Sequence, residues 1–229
     1  MNEPTTTPLL AIDTSSLTLR MAIGYGEDRL VKYEEAIRIS HGRVMLNKID
    51  HLLQSAGMPK DQLGAIAVSV GPGSFTGLRI GVALAKGLAL GLNLDVVAVS
   101  TFELAAYRLA DRTSPVTVLV PFKKDACFTA SVAGGKFLEN TVSVLPYAEL
   151  PGLMPNESLV AIGAEISALA RPHGVNGSLP MIELSAADLV NLGRLKLAQG
   201  ELADIETLEP MYLQKSQAEL RFEQRQRGQ

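Results

Sequence analysis

The chain of 229 residues is long enough for one large core or two small lobes, and its 47% hydrophobic and 20% charged residues are those of a globular protein. A net charge of −3 excludes a general attraction to nucleic acid or to an anionic membrane, so only a local patch could serve that purpose. Cys127 is the single cysteine, which excludes an intrachain disulfide and fits a reducing compartment, while the absence of tryptophan leaves little for bases to stack on.

The N-terminal stretch MNEPTTTPLLAID has no basic region and no long apolar one. No uninterrupted apolar run approaches the ~18 residues of a membrane helix. The expectation is a soluble, cytoplasmic chain without membrane contact. LLAIDTSS, LTLRMAIGYGED and RLVKYEEAI then read as three short strands, with a turn at Gly26 to Asp28, forming an antiparallel meander. RVMLNKIDHLLQSAG follows as a helix. Met45, Ile49, Leu52, Leu53 and Ala56 fall on one arc, Asn47, Lys48, Asp50 and His51 lie off it, and Gly57 with Pro59 ends it. LGAIAVSVG is an apolar strand of the kind buried on both faces. A glycine loop leads into the helix GLRIGVALAKGLALGLN, then the strand LDVVAVS, then the helix TFELAAYRLAD with Thr101 as its cap. This is a βαβα unit on parallel strands, added to the meander.

Pro115 marks a joint, after which the theme repeats. VTVLVPF, ACFTASVAG and KFLENTVSVL are three strands. SLVAIG is a strand before the short helix AEISALARP, and SAADLVNLGRLKLAQG is a helix capped by Ser185. Meander plus βα, twice, predicts two related lobes, at residues 1–113 and 114–229. The tail LRFEQRQRGQ has no apolar stripe and reads as frayed.

The loop VSVGPGSFTGLRIG carries the chemical question. A strand running through glycines into a helix can aim backbone N–H groups at an anion. The named phosphate motifs do not fit. A Walker A loop ends in Gly-Lys-Ser/Thr, but Leu78 and Arg79 follow Gly77. A dinucleotide fingerprint needs G-x-G-x-x-G and an acid at the end of the next strand, whereas the glycines here are Gly71, Gly73 and Gly77, and Asp95 starts that strand. A nucleophile elbow needs glycines two residues either side of Ser74, where Pro72 and Thr76 stand. The plainer reading is a tight turn at Gly71-Pro72-Gly73, with Ser74 or Thr76 capping the helix.

Within that helix Gly77, Gly81 and Ala85 share one stripe, and Gly87 and Gly91 share another with Ile80. Interior glycines cost ~1 kcal/mol each, a cost that close helix packing offsets. Arg79 and Lys86 border Leu78, Val82 and Ala89. The expectation is therefore that Gly87, Gly91 and Ile80 face the chain's own sheet, and that Leu78, Val82 and Ala89, rimmed by Arg79 and Lys86, form a surface buried on pairing. Asp13 ends the first strand, where an acid either holds a metal on a nucleotide phosphate or anchors the turn through Thr14 to Ser16. His41, His51 and His173 make no metal-binding spacing, so no metal site is expected. Cys127 paired with a histidine stays open as a nucleophile. Lys123, Lys124 and Asp125 read as a charged turn.

The loop GPGSFTGLRIG, followed by AKGLA, strongly resembles that of the TsaB (YeaZ) family; LAIDTSS near the start and LEPMYL at 208–213 fall in the family's order, so the resemblance covers nearly the whole chain. It implies a two-lobed α/β fold of the actin, sugar-kinase and Hsp70 type, with mixed sheets and flanking helices. It also implies a role in adding threonylcarbamoyl to the adenosine beside the anticodon of tRNAs reading codons that begin with A. In such a system the chain is a non-catalytic subunit without cofactor. It pairs with a TsaD-type paralogue that transfers the group from the adenylate made by TsaC; a TsaE-type ATPase joins them, and tRNA is reached through the complex. When alone, such a chain could homodimerise. The helix after the loop, together with Lys48 and His51 of the earlier helix, is then the partner face. Asp13, Thr14, Gly73 and Ser74 become a vestigial nucleotide site. The paralogue's histidine pair is absent, and Pro121, Phe122 and Lys123 stand where many relatives have Asp-Ala-Arg. The rival expectations are a kinase-like phosphotransferase or ATPase of the same fold and a glycoprotease-type peptidase.

Overall fold

The computed structural model describes residues 7–26, 28–36, 42–154, 158–175 and 179–213. The first three strands are β1 (Leu9–Asp13), β2 (Thr18–Tyr25) and β3 (Arg29–Ala36), joined in an antiparallel meander as the alternation predicts. Helix α1 (Gly42–Ala56) leads to β4 (Ala65–Gly71), which pairs parallel to β1. Helix α2 (Phe75–Leu92), strand β5 (Asp95–Ser100) and helix α3 (Thr101–Arg108) complete the series. The second series is β6 (Val116–Lys123), β7 (Ala126–Ala133), β8 (Lys136–Pro146), α4 (Leu150–Leu153), β9 (Leu159–Ile162), α5 (Glu165–Ala170), β10 (Met181–Ile182) and α6 (Ala186–Ala198).

The two sheets have orders β3-β2-β1-β4-β5 and β8-β7-β6-β9-β10. Position for position these are the same order, so the chain contains βββαβαβα twice. This is a two-lobed α/β fold with mixed sheets and flanking helices, as expected. The two-residue β10 and the single turn α4 are too short to leave a periodic signal, and the sequence reading missed both.

Alternation along the strands sets three apolar layers. Leu10, Ile12, Ile66, Val68 and Val96 face α1 and α2 on one side of the first sheet. Leu9, Ala11, Ala67, Val97 and Val99 face the other way, into a core shared with Val116, Val118, Ala130 and Val160 of the second sheet. Leu119, Cys127 and Ala161 meet α4 and α5 on the far side. Helices α3 and α6 fill the shared layer. Helix α6 lies across the first sheet, although it closes the second series, and α3 packs against both sheets. Lys196 of α6 forms a partly exposed ion pair with Glu103 of α3. Burial disfavours the Lys196 ammonium, but Glu103 and Glu201 outweigh it and hold the group above its ordinary lysine value.

Three serine caps start helices. Ser74 and Ser185 act as the sequence predicts, but α3 is capped by Ser100 rather than Thr101, in a capping box with Glu103. The Thr101 hydroxyl instead donates to the Pro72 carbonyl at 2.7 Å. By length and apolar composition α2 is long enough to cross a membrane. Arg79 and Lys86 divide its apolar run, and one side of it packs on β4, β1 and β5.

The irregular segment after α6 was not foreseen. The Ala203 N–H donates to the Val96 carbonyl and the Met211 N–H to the Val70 carbonyl, both at 2.7 Å. Leu208 is buried in the same core as α2. Residues 201–213 thus form a strap along the β5 side of the first lobe.

The approach of α6 to the first sheet depends on Gly193, where a Cβ would fall 2.6 Å from the Ala67 Cβ and 3.3 Å from Leu9 Cδ1. Gly193→Val is expected to destabilise the protein by about 1–3 kcal/mol through overpacking. Urea unfolding should show a lower midpoint with an unchanged slope.

Candidate functional site: the glycine loop and the helix it starts

Strand β4 is buried along its whole length and delivers the chain to Gly71, whose φ of +102° few other residues adopt. The loop turns onto the hairpin between β1 and β2. The Ser74 N–H donates to the Ser15 carbonyl at 2.7 Å. The Ser74 hydroxyl accepts from the Gly77 N–H at 3.3 Å, and its carbonyl receives the Leu78 N–H at 2.8 Å. A Cβ at Gly73 would run into the Ser15 carbonyl, one at Gly77 into the Thr14 carbonyl, and one at Gly81 into the Thr14 hydroxyl. The stripe of small residues thus admits the hairpin against the loop and the first two turns of α2.

Asp13 is buried, and its charge is met inside the hairpin. One carboxylate oxygen accepts from the Ser15 N–H at 2.9 Å, the other from Arg20 Nη1 at 3.1 Å. Arg20 Nη1 also donates to the Ser16 hydroxyl at 2.9 Å. The fold therefore brings Asp13, Thr14, Gly73 and Ser74 to one place, where Asp13 and Ser74 are bonded to Ser15, Arg20 and Gly77, while the buried Thr14 hydroxyl has no hydrogen-bond partner. Arg20 was not singled out in the sequence; its position opposite Asp13 in the β1–β2 register is the signal that would have found it.

At the corresponding hairpin of the second lobe Pro121 pairs with Cys127 in the ladder, and Lys123 forms an exposed ion pair with Asp125 at 3.7 Å. Phe122 packs on Phe128 with centroids 4.2 Å apart. Cys127 is fully buried, and burial pushes its thiol up to about 12. Its sulfur lies 3.6 Å from the Leu145 carbonyl. His173 packs on Tyr147, and His51 is exposed on α1. His41 lies outside the described residues, as does the tail read as frayed. No cluster of three or more metal-binding side chains occurs among the described residues.

The expected faces of α2 are reversed. Leu78, Val82 and Ala89, expected on a free surface, are buried in the chain's own core, Ala89 to 1% exposure. Gly87 and Gly91, expected against the sheet, are exposed, and a Cβ on either would meet nothing within 4 Å. Ile80, also expected on the sheet side, is only partly buried. The misassignment came from taking Arg79 and Lys86 to mark the rim of a free strip. The strap accounts for Lys86: its ammonium donates to the carbonyls of Glu206 and Leu208 at 3.3 and 3.2 Å.

The open face of α2 consists of Ala83, Gly87, Leu90 and Gly91, flanked by Ile80 and Leu84. At its start Phe75, Arg79 and Tyr212 form an exposed cluster that the sequence reading missed. Phe75 and Arg79 are four residues apart on one helix face, which is a legible signal; Tyr212 arrives with the strap. Helix α1 lies over β2 and β3 on the same side of the sheet as α2, and it exposes Val44 and Leu46. Lys48 is turned onto the Tyr33 ring, 4.3 Å from its centroid, rather than outward.

A family model described as TsaD, tRNA N6-adenosine threonylcarbamoyltransferase, matches residues 34–145. The chain is 28% identical to the tRNA threonylcarbamoyladenosine biosynthesis protein TsaB of Bacillus subtilis, over 93% of this chain and 97% of that one. It is 39% identical to the protein of the same description from Haemophilus influenzae, over 43% of this chain and 41% of the other. Among solved structures it is similar to a Pseudomonas aeruginosa protein described as uncharacterized with similarity to peptidase YEAZ. The TM-score is 0.73 at 27% identity, covering 91% of this chain and all of that one.

Gly77→Ala places a methyl group on the Thr14 carbonyl, a backbone atom that cannot swing aside. Despite the better helix propensity of alanine, it is expected to lower stability by about 1–3 kcal/mol. Gly87→Ala, in open space, should leave stability equal or higher; thermal melts of the pair check this.

Proposed function

The chain belongs to the TsaB/YeaZ family, and we propose that it serves tRNA threonylcarbamoyladenosine synthesis in the cytoplasm as a non-catalytic scaffold. In this reading it pairs with a TsaD-type paralogue, which carries the transfer to the adenosine beside the anticodon of tRNAs reading codons that begin with A. A TsaE-type ATPase and the tRNA join through that complex.

The observation that carries the reading is the filled glycine loop. A nucleotide phosphate bound there would have to take the Ser74 N–H from the Ser15 carbonyl, and a metal would have to draw Asp13 from Arg20. Both are already satisfied in a buried setting, where breaking them leaves unpaired polar groups at a cost of ~1–3 kcal/mol each. Close contact of the hairpin with α2 serves instead to hold the helix rigid, with Ala83, Gly87, Leu90 and Gly91 outward. A ridge of small and apolar residues on a fixed helix suits a second helix at short distance. Cys127, buried with its thiol raised to about 12, is unsuited as a peptidase nucleophile.

Calorimetry with ATP and magnesium is expected to show no binding tighter than roughly millimolar, about 4 kcal/mol. The chain with tRNA and threonylcarbamoyl-adenylate should yield no modified nucleoside until the paralogue is added. Micromolar ATP binding that disappears in Asp13→Ala would establish the kinase-like alternative.

Gly87→Arg tests the face. It should leave the melting temperature of the lone chain unchanged or raised, since nothing lies within 4 Å, and weaken paralogue binding by at least ~1–2 kcal/mol. Ala89→Arg is the converse: it should destabilise the lone chain, because Ala89 belongs to the core. Equal paralogue affinity for Gly87→Arg and the parent chain would remove this face from the interface.

A further inference from the structure

Arg79 is held in place before any partner arrives. Its guanidinium carbon lies 4.0 Å from the Phe75 ring centroid and 5.8 Å from that of Tyr212. Its Nε–H donates to the Tyr212 hydroxyl at 3.2 Å. The two rings are 5.6 Å apart and inclined at 49°. Phe75 and Tyr212 remain 40% and 45% exposed. The bond uses one of the five guanidinium N–H groups. Among the described residues no carboxylate forms an ion pair with Arg79, whereas Lys86 on the same helix is satisfied by two carbonyls of the strap.

We propose that Arg79 sets the partner specificity of the α2 face by receiving a carboxylate of the TsaD-type paralogue; this rests on the docking proposed above. A planar guanidinium already stacked and tethered loses little freedom when it takes a carboxylate through two parallel N–H bonds. Arginine flanked by aromatic rings at the edge of an apolar patch is the composition of a binding hot spot. The surroundings favour a protein over an RNA phosphate. Phe75 continues into Ile80, Ala83, Leu84 and Leu90, and among the described residues the single guanidinium of this cluster falls short of the several cations that phosphate binding requires. They also favour the paralogue over a second copy of this chain. Helix α2 contains no Asp or Glu, so a copy docked through the same helix offers Arg79 no acid from it and brings a second Arg79 and Lys86 close.

The test compares Arg79→Met, Arg79→Lys and Tyr212→Phe with Gly87→Arg in the full chain. Paralogue binding is followed by calorimetry at two salt concentrations, self-association by sedimentation, and tRNA binding by anisotropy. Arg79→Met is expected to weaken paralogue binding at least tenfold, with a smaller salt dependence, unchanged melting temperature and no loss of self-association. Arg79→Lys should recover only part, and Tyr212→Phe should show a smaller loss. Neutralising paralogue acids one at a time, Asp to Asn and Glu to Gln, should reveal one whose loss is not additive with Arg79→Met. If Arg79→Met binds the paralogue as the parent does while Gly87→Arg does not, the docking face stands and the role of Arg79 is overturned. If neither variant matters, the docking face itself has failed. Loss of self-association alone would identify a second copy as the occupant, and loss of tRNA affinity by the lone chain would identify a phosphate; either overturns the proposal.

Discussion

Everything on the first lobe's outer side depends on one close approach, that of the β1–β2 hairpin to the start of α2. The hairpin backbone at Thr14 and Ser15 occupies the space that side chains at Gly73, Gly77 and Gly81 would fill. Three glycines in one turn-and-helix segment carry an entropic and propensity cost. The return is a helix pinned at its first two turns by a short hydrogen bond and by direct backbone packing. Asp13 belongs to the same device. Its carboxylate is an acceptor for the hairpin's own N–H and for Arg20, and so stabilises the turn that presses on the helix. A loop shape suited to phosphates is here filled by protein backbone.

The duplicated strand order has an equally specific energetic arrangement. Each half has a five-stranded sheet, but neither half covers both faces of its sheet with its own helices. Helix α6 lies on the first sheet and α3 reaches both, so the central layer from Leu9 to Val160 is one core. The partly exposed ion pair of Lys196 with Glu103 ties the two helices together. Lobes that open and close on a ligand need a separable interface. Here such a motion would expose Phe102, Val118 and Leu189 together.

Much of this was legible in the sequence because period and punctuation are local. The meander, the parallel strands, the serine caps at Ser74 and Ser185 and the return of a meander plus βα in the second half are all read from spacing alone, whereas α4 and β10 are not. The nucleophile role that the sequence leaves open for Cys127 meets a fully buried side chain in the fold. The faces of α2 came out reversed for a physical reason. Helical periodicity fixes which residues lie together, not which side meets the protein, and Leu78, Val82 and Ala89 look the same in either role. The charges pointed the wrong way because their partners are remote. Lys86 meets carbonyls 120 and 122 positions away, and Arg79 meets a hydroxyl 133 positions away. Pairings at that separation leave no pattern in a window of a dozen residues. The strap was illegible for the same reason: its bonds are made by backbone groups, which every sequence has.

The strap gives the chain's growth a direction. Ala203 and Met211 supply hydrogen bonds to β5 and β4, Leu208 fills part of the core beneath α2, and the carbonyls of Glu206 and Leu208 receive Lys86. The inner face of the same sheet waits for α6. As the polypeptide is made, therefore, residues 9–108 cannot reach their final state on their own; part of the apolar surface on both faces of the sheet stays uncovered until residues 186–213 have followed. A product cut short before residue 186 lacks both segments that close the lobe made first.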